Sequence, residues 1–242
     1  MGEPGSVLLA AGYGAVAGGA LVRPAYRLSV PTGRAWRATC PAGHPLAGWA
    51  GPGRCPQCAG PAYGIARRWL AVPTAAVCAG LAAAVGPRPE LAVWLLLAPP
   101  LVLLATVDLA VHRLPDVLTL PLAGAAAALL GVAALLPGAG GDWPRALLGG
   151  AALCAGYGVL FLIHPRGMGF GDVKLAAACG VALGWYGWPL VLGGTYTAFV
   201  LGATYGLVLI GFGRAKRRTP LPFGPFMIVG TLLGVAAGGL GA

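Results

Sequence analysis

The chain has 242 residues, of which 58% are hydrophobic and only 9% are charged, whereas soluble domains average roughly 45–50% and 25%. This composition excludes a soluble globular protein, and the lack of a Gly-x-y repeat excludes a collagen-like chain. Sixteen Lys and Arg against six Asp and Glu give a net charge of +10, which in a membrane protein is first a sign of topology. We therefore expect an all-α, polytopic membrane helix bundle, and no nucleic-acid partner.

Uncharged apolar stretches of about 20 residues are long enough to cross a bilayer as helices. Eight such stretches can be drawn, so we predict about eight transmembrane helices. They run approximately over 6–22, 70–86, 91–107, 117–136, 146–163, 174–189, 190–211 and 225–241. The first is expected to be a retained span, because it lacks the basic start and cleavage pattern of a signal peptide. The chain then divides into a first transmembrane helix (1–22), a loop (23–69) and a membrane core (70–242).

The basic residues predict the orientation of these helices. Fourteen of the sixteen Lys and Arg fall in loops on one side, seven of them in the loop 23–69, and only Arg88 and Arg145 fall on the other side. Loops rich in Lys and Arg stay in the cytoplasm. We therefore expect a basic cytoplasmic loop over 23–69 and both termini outside.

A cluster of potential metal ligands lies in this loop. Cys40 and His44 form a Cys-x3-His pair, and Cys55 and Cys58, separated from it by ten residues, form a Cys-x2-Cys pair. Two ligand pairs on short turns suit a tetrahedral Zn²⁺, which would fold a loop that is poor in apolar residues. The alternative is a set of free thiols beside a solvated histidine, while a disulfide is disfavoured in the reducing cytoplasm. We expect structural zinc.

Three aspartates are predicted at the cytoplasmic ends of helices, namely Asp108, Asp116 and Asp172. An ionisable residue near the end of a membrane helix is a functional-site candidate, although it can also simply solvate that end. Asp116 follows Pro115 and precedes an apolar run, so capping of the next helix is its simplest role.

The third aspartate belongs to a glycine-rich motif, Gly167-Met-Gly-Phe-Gly-Asp-Val-Lys174. Alternating glycines permit close approach to the backbone, and a plain loop with Asp172 as the helix N-cap is the alternative. Two carboxylates that share a site cannot both ionise easily, so the pair holds one proton. Such a pair can activate water and polarise a carbonyl, as in peptide hydrolysis. We expect Asp108 and Asp172 to form this pair.

Three segments together resemble the type IV prepilin peptidases, a family of bacterial membrane aspartyl peptidases. The segment 167–175 is similar to the family's GxGD signature, the segment 107–121 to its first-aspartate region, and Pro222-Phe-Gly-Pro-Phe226 to its C-terminal turn. The resemblance covers about 107–230. It implies a catalytic pair of Asp108 and Asp172, with supporting roles for Asp116, Gly169, Gly171 and Lys174.

This resemblance also implies an activity and a location. The expected reaction is cleavage of the leader peptide from type IV prepilins or pseudopilins, in the bacterial inner membrane with the active site facing the cytoplasm. Long-loop members of the family carry two Cys-x-x-Cys pairs, whereas here only Cys55-Pro-Gln-Cys58 is intact and Cys40 to His44 replaces the first pair. Such members often also N-methylate the cleaved pilin, and only that activity would need S-adenosylmethionine.

Two other functions are alternatives to the peptidase. In a proton-coupled transporter or channel the three aspartates would form a relay across the membrane, but no second copy of the glycine motif indicates the expected repeat. A catalytically silent scaffold for pilus assembly would not need both Asp108 and Asp172.

Overall fold

The computed structural model describes residues 2–58, 62–165, 167–214 and 221–242. Within these ranges the chain is helical, with no strand beyond a single bridge between Thr39 and Pro45. The helices are α1 (Pro4–Ala20), α2 (Val22–Leu28), α3 (Arg68–Val85), α4 (Pro89–Val111), α5 (Asp116–Ala134), α6 (Trp143–Ile163), α7 (Phe170–Tyr186), α8 (Trp188–Gly211) and α9 (Gly224–Gly241). The predicted all-α bundle is confirmed.

Six of the described helices are long and apolar enough to cross a membrane individually, namely α3, α4, α5, α6, α8 and α9. Helices α1 and α2 meet at an angle of 41° and together qualify as a seventh, bent span. Helix α7 has 17 residues and lies among α5, α6, α8 and α9. The predicted number of about eight spans is therefore approximate, but the protein is clearly a multi-pass membrane protein.

The central position of α7 depends on close contact with α6. A Cβ atom on Gly149 would lie 2.5 Å from the carbonyl oxygen of Gly180 and 2.9 Å from the Cα of Gly184, so the two backbones touch. The division between α7 and α8 falls at Gly187, whose φ of 136° is unfavourable for other residues. This break lies within three residues of the predicted boundary between the spans 174–189 and 190–211.

The predicted loop 23–69 does not begin as a loop. Most of α2 lies inside it, because Val22, Ala25 and Leu28 are buried in one apolar cluster with Val102 and Val107 of α4. The sequence places Arg23 and Arg27 outside the first span, yet tertiary packing continues the helix through them.

Arginines of α2 hold the rest of the loop in place. Arg23 donates to the carbonyl oxygens of Ala47 and Ala50, and Arg27 donates to that of Gly48 at 2.9 Å. The Arg27 guanidinium also lies 4.4 Å from the ring centre of Trp49. Part of the basic charge of this loop thus has a structural role.

A buried carboxylate lies at the opposite end of the bundle. The Glu90 side chain of α4 is fully buried and accepts a hydrogen bond of 3.1 Å from the backbone N–H of Gly140. The hydroxyl of Tyr186 at the end of α7 lies 3.5 Å away, and this hydroxyl also accepts from the Trp94 indole. Glu90 therefore connects α4 to α7 and to the loop before α6.

Candidate active site and metal centre

Asp108 lies in the last turn of α4 and is only 5% exposed. Its Oδ2 accepts a hydrogen bond of 3.0 Å from the backbone N–H of Gly224. Gly224 is the first residue of α9, and N–H groups of the first helical turn have no partner within their own helix. The N-terminus of α9 thus binds and orients the Asp108 carboxylate.

Asp172 lies in the first turn of α7 and is 7% exposed. Its Oδ2 accepts a hydrogen bond of 3.1 Å from the backbone N–H of Gly169, which is the N-cap residue of the helix. The sequence left open whether Asp172 itself caps the helix. The structure places it three residues further on, where its side chain reaches back to the N-cap.

The two carboxylates lie near each other on different helices. Leu114, in the turn between α4 and α5, packs between the elements that hold them: a Cβ atom on Gly171 would lie 2.9 Å from the Cβ of Leu114, and one on Gly224 would lie 3.2 Å from its Cδ2. The structure therefore brings together residues that are 64 positions apart in the printed sequence.

Sequence reasoning did not assign roles to two neighbours of this pair. Gly224 belongs to the Pro-Phe-Gly-Pro-Phe turn, and this motif is the signal that could have identified it. Tyr157 is a buried residue of α6, and its ring lies 6.2 Å from that of Phe223, the residue before Gly224. For Tyr157, the only signal in the sequence is a single tyrosine within an apolar helix.

The expected capping role of Asp116 is wrong. Asp116 is the first residue of α5, the N-cap is Pro115, and no side chain caps this helix. Instead Asp116 Oδ1 pairs with Lys174 Nζ at 2.7 Å, and the Lys174 ammonium lies 4.8 Å from the ring centre of Phe170. The pair joins α5 to α7 at the edge of the site. Because the Asp116 side chain is 62% exposed, water screens this ion pair and it contributes little to stability.

The four predicted metal ligands lie together in the loop. Cys40 Sγ, His44 Nδ1, Cys55 Sγ and Cys58 Sγ all lie within 4.8 Å of one another. Cys40 Sγ is 3.7 Å from both His44 Nδ1 and Cys58 Sγ, and His44 Nδ1 is 3.1 Å from Cys58 Sγ and 3.9 Å from Cys55 Sγ. A tetrahedral zinc site with ordinary bond lengths has ligand atoms about 3.5–3.8 Å apart. The set therefore fits a metal ion.

Two tight turns bring these ligands together. The N–H of Gly43 donates to the carbonyl oxygen of Cys40, and Gly43 has a φ of 86° that suits glycine. The N–H of Cys58 donates to the carbonyl oxygen of Cys55 in the second turn. Each turn therefore brings together two ligands that are close in the sequence.

The thiols of Cys40 and Cys58 have pKa values shifted in opposite directions. Burial raises the pKa of the Cys40 thiol, but hydrogen bonds from the backbone of His44 and Ala42 outweigh it and lower this pKa to about 6. Burial and the neighbouring thiols raise the pKa of Cys58 to about 11. Several thiolates at this spacing need a cation between them.

Comparison with known proteins shows which family the sequence is similar to. The sequence profile described as the type IV leader peptidase family matches residues 95–213. A Burkholderia pseudomallei protein named prepilin leader peptidase/N-methyltransferase is 36% identical over 225 residues, covering 85% of this chain and 67% of the relative. An Aeromonas hydrophila protein of the same name is 34% identical over 229 residues, covering 85% of this chain and 71% of the relative. No solved structure matches the chain significantly.

Proposed function

The chain belongs to the type IV leader peptidase family, and on that premise we propose that it is a membrane aspartyl endopeptidase. Its proposed substrates are type IV prepilins or pseudopilins, whose leader peptide it removes. The observation that carries the proposal is the buried pair of Asp108 and Asp172, held on two helices by two separate backbone N–H groups. No observation supports the transporter or channel.

The hydrogen bonds suggest how the pair works. In each carboxylate Oδ2 is held by a backbone N–H, while Oδ1 receives no hydrogen bond from the described residues. These two oxygens are available for water and for the scissile carbonyl. One carboxylate, ionised, takes a proton from water as the water oxygen attacks the carbonyl carbon, and the other, protonated, donates to the carbonyl oxygen.

The carbon–nitrogen bond then breaks as the amine nitrogen takes up the proton that the first carboxylate removed from water, and a hydroxyl of the tetrahedral intermediate returns a proton to the second carboxylate. The products are a leader with a new carboxylate and a pilin with a new amino terminus. Gly169 supports the site through the N–H that holds Asp172, and Gly171 supports it by leaving room for Leu114, whose Cβ lies 2.9 Å from where a Cβ atom on Gly171 would be. Lys174 supports the site through its ion pair with Asp116.

We propose that the site faces the cytoplasm of a bacterial cell. The segment 23–69 carries seven arginines, and the positive-inside rule keeps such a segment in the cytoplasm. Arg166, Lys216, Arg217 and Arg218, which also enter this prediction, lie outside the described residues. Cysteine labelling within 34–60 should report the cytoplasm and labelling near 88 and 140 the exterior; the reverse result would turn the site away from the pilin leader.

We further propose that the cluster of Cys40, His44, Cys55 and Cys58 holds a structural Zn²⁺. The ion would supply the charge that several close thiolates require and would fix two turns of a loop with little apolar core. The names of the relatives also include N-methyltransferase. We propose this second activity for the chain as well, with S-adenosylmethionine as the methyl donor.

The test is cleavage of prepilins by the purified protein in lipid nanodiscs, followed as a loss of leader mass. Asp108→Asn and Asp172→Asn should each lower kcat/KM by at least about 100-fold, because each removes a proton-transfer group. Both variants should insert and unfold like the parent protein. Cleavage that survives in either variant would overturn the aspartate pair, and transfer of a labelled methyl group to the cleaved pilin tests the second activity.

A further inference from the structure

A cavity lies beside α4, away from the aspartates. It encloses about 510 Å³ and opens between the loop, α2 and the adjoining ends of α3 and α4. Thr106, Leu109 and Ala110 line it, at the i, i+3, i+4 spacing that shares one helix face. Asp108 lies on another face of α4 and contacts Gly224 instead, so the cavity is separate from the proposed peptidase site.

The walls of this cavity combine apolar surface with one positive charge. Trp69, at the start of α3, is 62% exposed, and Leu109, near the end of α4, is 55% exposed. Both helices are membrane spans, so these side chains lie near one surface of the bilayer. The cavity volume is in the range of small-ligand sites.

Arg37 is the charged residue of the lining. Its Nη1 donates to the carbonyl oxygen of Tyr26 at 2.6 Å, and its guanidinium lies 4.7 Å from the Tyr26 ring centre. These contacts orient the guanidinium, and an arginine has further N–H donors for an anion. The hydroxyl of Ser29 lies in the same lining.

The sequence around Arg37 offers no carboxylate that could neutralise its charge. Between Glu3 and Glu90 the chain contains no Asp or Glu, although it contains eight arginines. A cationic ligand is therefore disfavoured in the cavity, and so is a ligand whose hydroxyls need a carboxylate acceptor. An anion with an apolar portion is complementary to both the Arg37 guanidinium and the apolar residues of the lining.

We propose that this cavity binds an anionic phospholipid of the adjacent leaflet. The phosphate would bind the Arg37 guanidinium, whose planar donors match phosphate oxygens. The acyl chain would follow Trp69 and Leu109 toward the bilayer, with Trp69 at the depth where tryptophan is common. A lipid placed there fills the space between the metal-binding loop and α4.

The test measures lipids retained by the purified protein. The protein is exchanged into detergent with equal amounts of phosphatidylglycerol and phosphatidylcholine, and bound lipid is counted by native mass spectrometry. We expect one phosphatidylglycerol per chain and a retention about fivefold lower in Arg37→Gln. Arg34→Gln, which removes an exposed arginine of the same loop outside the lining, should retain lipid like the parent protein.

A second variant keeps the test decisive if Arg37→Gln disturbs the loop. Ala110→Trp leaves Arg37 intact but fills the cavity from α4, so it should also lose the lipid. Parental retention in Ala110→Trp, or equal retention of phosphatidylcholine, would overturn the proposal. So would displacement of the lipid by soluble glycerol phosphate or by S-adenosylmethionine at comparable concentrations, because either would identify a soluble ligand.

Discussion

Gly224 offers a sharp test of the proposed catalytic geometry. In Gly224→Ala the new Cβ would lie 2.8 Å from Asp108 Oδ2 and 3.2 and 3.3 Å from two methyl carbons of Leu114. An ordinary contact begins at 3.4 Å, so the carboxylate has to move by about 0.6 Å. Leu114 packs against this position and limits where the methyl group can go.

The expected loss of activity follows from this displacement. A misplacement of about 1 Å in a catalytic group can lower a rate by about 100-fold. We therefore expect kcat/KM for prepilin cleavage to fall by about 10- to 100-fold, equivalent to about 1.4–2.7 kcal/mol of transition-state stabilisation. The assay is leader removal in nanodiscs at several substrate concentrations, with the thermal unfolding midpoint measured in parallel.

A matched glycine controls for the substitution itself. A Cβ on Gly124 of α5 would meet nothing within 4 Å, and alanine in a helix interior is favoured over glycine by about 1 kcal/mol. Gly124→Ala should therefore cleave at the parental rate and unfold no earlier. If Gly224→Ala cleaves within twofold of this control, Asp108 does not act where the structure places it.

Three other substitutions test features outside the aspartate pair. Asp116→Asn should lower kcat/KM by no more than about fivefold, the equivalent of about 1 kcal/mol, because its ion pair with Lys174 is largely exposed; a complete loss would make Asp116 the catalytic residue. Elemental analysis should find about one zinc per chain in the parent protein and none in Cys55→Ser, whereas Cys154→Ser should keep it; equal zinc in both variants would contradict the metal site. Glu90→Ala should lower the free energy of unfolding by about 2 kcal/mol, because it leaves a buried N–H without its acceptor; Glu90→Gln, which keeps an acceptor, should cost less, and equal effects would refute this explanation.

Much of the site could be predicted because its signals are local. Asp172 has glycines around it in the sequence, and Asp108 follows a long apolar run. The count of basic residues predicts that both lie on the same side of the membrane. The metal ligands could be predicted for a similar reason, since each pair spans a single short turn.

The other features depend on contacts between distant residues. The N–H of Gly224 reaches Asp108 across 116 positions, and nothing near Asp108 in the sequence specifies that donor. Helix α2 was missed because two arginines end the apolar run, although Val22 and Leu28 pack against α4. The ion pair of Asp116 likewise depends on how α5 and α7 meet, whereas a capping role needs only the local sequence.

The ends of three helices meet at the aspartates. Helix α4 ends at Val111, α7 begins at Phe170 and α9 begins at Gly224. Helix termini leave main-chain donors and acceptors without intrahelical partners, and an extended peptide offers the complementary groups at every residue. Recognition through the main chain would depend little on side-chain identity, so such a protease could accept many leader sequences and choose its bond by the place where the substrate's own helix unwinds.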